Sequence, residues 1–132
     1  MKQTTQSKQK VIAGQTRELL LHDLSRKITL AELADMSGYS ATYLKICFKN
    51  VYGQPVHQYV RHKKLERAAE LLIEGKAGVL DIAGQVGFEN GSKFAKVFRD
   101  TFGMTPGKFR RLDKEEALAL LEKVRIKEPK TA

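Results

Sequence analysis

The chain carries the same helical hairpin twice, and a duplicated unit constrains the fold more tightly than composition does. The stretch GYSATYLKICFKNVYGQP, Gly38 to Pro55, aligns with GFENGSKFAKVFRDTFGMTP, Gly87 to Pro106. Gly38 pairs with Gly87, Tyr39 with Phe88, Leu44 with Phe94, Phe48 with Phe98, Tyr52 with Phe102, Gly53 with Gly103 and Pro55 with Pro106. One extra residue falls in the turn of the second copy and another before its proline. Upstream, Leu30, Leu33 and Ala34 are answered by Val79, Ile82 and Ala83.

Each copy reads as a short helix, a tight turn and a longer helix. In the first, Thr29 with Glu32 three residues on forms a capping-box pattern, which opens a helix through about Met36. Gly38 supplies the left-handed conformation that re-aims the chain, and Ser40 caps the second helix. In that helix Leu44, Cys47, Phe48, Val51 and Tyr52 recur at spacings of three and four, the pattern of one buried stripe. Thr42, Lys45, Ile46 and Lys49 face the other way. The second copy predicts a helix from Val79 to Gln85, a turn at Gly87, and inward Phe94, Val97, Phe98 and Phe102. Ser92, Lys93, Ala95, Lys96 and Arg99 then point outward. Gly53 and Gly103 stand where helices stop, and Pro55 and Pro106 suit the first turn of the helix that follows.

Between the copies, Val56 to Glu74 predicts a long amphipathic helix. Tyr59, Val60, Leu65, Ala68, Ala69, Leu71 and Leu72 form its apolar side, and Arg61, His62, Lys63, Lys64 and Arg67 its basic side. Ahead of the first copy, Val11 to Leu24 predicts a helix that closes the first bundle through Ile12, Leu19, Leu20 and Leu24. After Arg111, Asp113 to Arg125 reads as an amphipathic helix that packs back on the second unit or meets a partner, followed by a disordered end from Lys127. The expected fold class is all-α, with about seven helices. Residues 1–10 form a flexible segment or linker remnant, 11–54 the first subdomain, 55–75 the connecting helix, 76–112 the second subdomain and 113–132 a C-terminal helical extension and tail.

Lysine and arginine number 24 against 15 acidic residues in 132, a formal charge of +9, and such a surplus points to polyanions as partners. One cysteine, Cys47, excludes an internal disulfide framework and fits a reducing, cytoplasmic setting. It sits in the apolar stripe, as a small core residue does. His22, His57 and His62 make neither a metal set nor a catalytic one, and no phosphate-cradling glycine loop appears, so neither an enzyme nor a resident cofactor or metal is expected. Met1 to Thr5 is polar and lacks a signal-peptide pattern. No apolar run approaches the roughly 20 residues that a membrane span needs.

Taken together, these residues resemble the DNA-binding domain of the AraC/XylS family of bacterial transcription regulators, from about Val11 to Arg111. The resemblance rests on Leu33-Ala34 before Gly38-Tyr39-Ser40, on Phe48-Lys49 and Gly53, and on Tyr59 followed by Arg61, Leu65 and Ala68. The second copy adds Asp81-Ile82-Ala83, Val86-Gly87-Phe88, Phe94, Phe98-Arg99, Phe102-Gly103, Thr105-Pro106 and Phe109-Arg110. It implies two helix-turn-helix units whose second helices enter successive major grooves of double-stranded DNA, about 10 bp apart. By match to the family's contacting positions, Thr42, Lys45 and Ile46 of the first helix and Gly91, Ser92, Ala95 and Lys96 of the second would meet base edges. Gly91 and Ala95 depart from the polar side chains expected there, which shifts the second helix toward backbone contacts and shape readout. Ser40, Lys49, Lys93, Arg99, Lys108, Arg110 and Arg111 would contact phosphates.

The resemblance further implies RNA polymerase as a partner and transcription control as the role. It suggests the C-terminal part of a longer regulator, any effector ligand being bound by a domain outside this chain. A competing reading is a basic helical adaptor that docks an acidic protein, which would bind DNA weakly and without regard to sequence.

Overall fold

The computed structural model describes residues 5–127. All its regular elements are helices: α1 (Thr5–Leu21), α2 (Leu30–Ser37), α3 (Ala41–Tyr52), α4 (Val56–Glu74), α5 (Val79–Gln85), α6 (Gly91–Phe102), α7 (Pro106–Arg110) and α8 (Lys114–Val124). The fold is all-α, as expected. These eight helices among the described residues, against about seven expected, include the five-residue α7, whose start Pro106 marks in the sequence. The chain forms two compact units, one ending at Val60 and the other running from Arg61 to Ile126, with the boundary inside α4. Residues 128–132, expected to be disordered, lie outside the described residues.

In the first unit α1 packs on α3. Ile12, Ala13, Thr16 and Leu20 are buried along one face of α1, and they meet a core that includes Leu33, Leu44, Cys47, Phe48, Val56 and Tyr59. The Thr16 hydroxyl is tolerated there because it donates to the Ile12 carbonyl at 2.8 Å. Leu19, expected in the core, is 41% exposed. Phe48 and Tyr59 meet edge to face at 5.1 Å, and the Tyr59 hydroxyl accepts from Arg17 Nε at 2.7 Å. That bond ties α1 to the start of α4.

The limits of α1 differ from the sequence expectation at both ends. It begins at Thr5 rather than Val11, so residues 5–10, expected to be flexible, are helical. Lysine and glutamine are good helix formers, and Asn50 of α3 donates to Gln9 Oε1 at 3.1 Å, which fastens the added turns. It ends at Leu21 rather than Leu24 because the Asp23 carboxylate accepts from the Ser25 amide at 3.0 Å and from the Ser25 hydroxyl. This local turn competes with continuation of the helix.

The second unit is built around Phe94, Phe98, Phe102 and Phe109, all buried. Phe98 stacks on Phe102 at 4.4 Å and meets Phe109 edge-on at 5.4 Å. Leu65, Ala68, Ala69 and Leu72 of α4 join this core, as do Ala117 and Leu121 of α8. The C-terminal extension therefore packs back on the second unit. Asp113 caps α8, its carboxylate accepting from the Glu116 amide at 3.0 Å. That backbone bond holds the Asp113 carboxyl below the usual range. Glu66 is buried. It accepts from Lys63 Nζ at 3.4 Å and from the Ile126 amide at 3.1 Å, so its charge is paired and the chain beyond α8 is held.

Candidate nucleic-acid interface

Both hairpins are fixed by side-chain caps at the start of the longer helix. Ser40 Oγ accepts from the Tyr43 amide at 3.1 Å, and Asn90 Oδ1 accepts from the Ser92 and Lys93 amides at 2.8 and 3.2 Å. The Ser40 cap follows from sequence. Asn90 was missed, although asparagine just ahead of an amphipathic run is itself an N-cap signal. Thr29 caps α2 in the same way, accepting from the Glu32 amide at 3.1 Å.

The turns within the hairpins depend on glycine. Gly38 has φ +81° and its amide donates to the Ala34 carbonyl, a single-bond left-handed helix stop. At the second turn Gly87 has φ +86°, the Phe88 amide donates to Ala83 O at 2.9 Å and the Gly87 amide to Gly84 O at 3.1 Å. This paired arrangement is a Schellman stop. The first helix of each hairpin thus ends in a different stop built on glycine, and the extra residue of the second copy falls between Gly87 and the Asn90 cap. At the far ends, Gly53 and Gly103 close α3 and α6 with φ of +78° and +80°. Pro106 opens α7 at its first turn. Pro55 sits one position earlier relative to its helix, where its carbonyl accepts from Tyr59 N.

Around α3, the buried stripe is Leu44, Cys47 and Phe48, and Thr42, Lys45, Ile46 and Lys49 are exposed on the other side, with Ser40 exposed at the cap. The hydrogen bond with the Cys47 side chain pushes the Tyr43 phenol up. On α6, Ser92, Lys93, Lys96 and Arg99 are exposed, whereas Gly91 and Ala95 are half-buried. Lys108 and Arg111 are exposed near α7. Arg110 differs from these: it is half-buried, and its guanidinium donates to the Ala77 carbonyl, a bond within the second unit. Among the described residues none of Lys45, Lys49, Lys93, Lys96 and Arg99 is held in an ion pair. A cation without an internal partner keeps its full charge for an external anion.

Loss of the Ser40 cap has a measurable consequence. Ser40→Ala is expected to lower the stability of the first unit by about 1 kcal/mol, read as a shifted midpoint in urea unfolding. An unmoved midpoint would show that the capping bond contributes nothing net.

Two capped helix–turn–helix hairpins, each presenting an exposed basic face on its longer helix, define the class of helix-turn-helix DNA-binding regulators. Among the described residues no helix is long and apolar enough to cross a membrane. A family model described as a helix-turn-helix domain matches residues 33–112. The transcription factor PqrA of Proteus vulgaris is 39% identical over 83 residues, covering 63% of this chain and 68% of PqrA. The transcriptional regulator Rob of Salmonella typhimurium is 31% identical over 119 residues, covering 88% of this chain but only 41% of Rob. Among solved structures, the C-terminal domain of AraT, a response regulator from Geobacillus stearothermophilus, superposes with a TM-score of 0.72 at 27% identity, covering 76% of this chain and 84% of that one. The chain belongs to the AraC/XylS-type helix-turn-helix family of DNA-binding transcription regulators, and the adaptor reading is not favoured.

Proposed function

We propose that this chain binds double-stranded DNA in a sequence-specific way, with α3 and α6 as recognition helices that enter successive major grooves. The observation that carries the reading is the duplicated hairpin whose long helices each bury one face and leave the opposite face polar and cationic. Thr42, Lys45 and Ile46 on α3 and Ser92 and Lys96 on α6 are the side chains we assign to base edges. Lysine can donate to guanine O6 and N7, and isoleucine and threonine methyls pack against thymine. Gly91 and Ala95 present little side chain, which shifts the second helix toward shape readout. Lys49, Lys93, Arg99, Lys108 and Arg111, with the Ser40 hydroxyl, hold phosphates. Arg110 supports the second unit through Ala77, and any phosphate contact it makes is secondary to that role.

In this reading the role is transcription control without catalysis, in the cytoplasm, with RNA polymerase as protein partner. The chain would serve as the C-terminal DNA-reading part of a longer regulator whose effector binds elsewhere. Support for a longer regulator is the share of Rob that the match spans, 41%.

Selection of sites from random duplex DNA, followed by titration of the winner and a scrambled control, tests the proposal. The expected site has two short blocks about 10 bp apart. Five phosphate-bound cations give a salt slope of about −4.5, or roughly 500-fold weaker binding between about 50 and about 200 mM salt. Steep salt dependence without an enriched site would overturn sequence-specific reading.

A further inference from the structure

Leu80, at the second position of α5, is 76% exposed, the most exposed large apolar side chain among the described residues. The core-facing side of α5 is taken by Ile82 and Ala83. Leu80 leans instead on the first residue of α6: a Cβ built on Gly91 would lie 2.6 Å from Leu80 Cδ2, closer than real contacts of that kind come. Gly91 is not among the residues with positive φ, so its backbone conformation does not require glycine. A side chain at position 91 would have to push aside the tip of Leu80, whose methyl group already fills that space.

We infer that Leu80 is a specificity-determining residue of the second hairpin, reading a thymine methyl in place of the side chain that Gly91 lacks. The inference rests on the proposed DNA-binding function. The two residues work as a pair: glycine opens the start of α6 and leucine, from the neighbouring helix, occupies the opening with an apolar tip. That tip lies against Gly91, the first residue of α6, on the end of the recognition helix that enters the groove most deeply. Leucine has no hydrogen-bonding group, so it gains little from a phosphate or from the polar edges of guanine, adenine and cytosine. The one apolar feature that bases show in the major groove is the C5-methyl of thymine. Leucine at position 80 therefore favours thymine at one place in the half-site read by α6.

The test uses the site selected by the intact chain, with each thymine of that half-site replaced in turn by uracil, which removes the methyl and leaves every hydrogen-bonding group. One such replacement is expected to weaken wild-type binding roughly 4-fold, the effect of one buried methyl group. Leu80→Ala is expected to bind the thymine and uracil duplexes equally, with unchanged thermal unfolding because the side chain is exposed. Gly91→Ala, whose added methyl displaces the Leu80 tip, is expected to lose the same discrimination. Retention of the thymine preference by Leu80→Ala, or a selected half-site at which no thymine responds to uracil, overturns the role of Leu80 while leaving specific DNA binding intact. Failure to select any site overturns the DNA-reading proposal itself.

Discussion

Phe98→Ala is expected to unfold the second unit at ordinary temperature while the first unit stays folded. Phe98 is fully buried and touches Phe94, Phe102 and Phe109, with ring centroids 5.8, 4.4 and 5.4 Å away. It is the one ring in contact with all three others, so truncation removes its own transfer free energy and also leaves a cavity that α6 and α7 cannot both collapse into. Such substitutions cost about 3–5 kcal/mol, while whole domains are stable by only about 5–15 kcal/mol, with small ones at the low end. Amide spectra should show collapsed dispersion for residues of the second unit and native positions for the first. Far-UV ellipticity should fall accordingly. A variant with wild-type thermal unfolding would mean that α6 presents a different face to its core, and with it that the outward assignment of Lys96 and Arg99 is wrong.

The hairpins were legible from sequence because their information is local. A glycine with positive φ, a serine cap and a stripe at spacings of three and four each specify geometry within a few residues, and α5 occurs at Val79–Gln85, as its pattern indicates. Duplication reinforced every one of these signals. What sequence did not reveal depends on residues far apart in the chain. The early start of α1 is supported by an Asn50–Gln9 bond, 41 positions apart. The burial of Glu66 follows from the Ile126 amide, 60 positions away. Lysine, arginine and glutamate on an amphipathic helix read as a solvated face until the segment that covers them is in place.

The exposed side of the recognition helices shows the same division between local and distant information. Periodicity placed Thr42, Lys45, Ile46, Lys49, Ser92, Lys93, Lys96 and Arg99 outward, and all are exposed. It also placed Ala95 outward, where the structure has it half-buried. The family pattern made Arg110 a phosphate ligand, yet its guanidinium is committed to Ala77, 33 residues earlier. Leu80 went unnoticed because an apolar residue in the first turn of a short helix reads by default as core. Its exposure and its contact with position 91 emerge only once α5 and α6 are folded against each other.

Lys45→Ala and Arg99→Ala are expected to weaken DNA binding in different ways, and the difference tests the assignment of bases to one and phosphate to the other. Lys45 is exposed in the second turn of α3, on the face opposite Leu44, Cys47 and Phe48, and its ammonium can bridge guanine O6 and N7. Its loss should cost about 1–3 kcal/mol on the selected site and much less on a duplex changed at the contacted base pair, so that preference at that position relaxes. Arg99 lies in the last turn of α6, away from the end that enters the groove. Its loss should weaken every duplex by a similar factor and reduce the salt slope by about one. Both side chains are exposed and outside the core, so neither substitution should shift thermal unfolding. Equal losses on selected and altered duplexes for Lys45→Ala would move that residue to the phosphates. A base-dependent loss for Arg99→Ala would mean that α6 lies along the groove with its C-terminal half close to the base pairs.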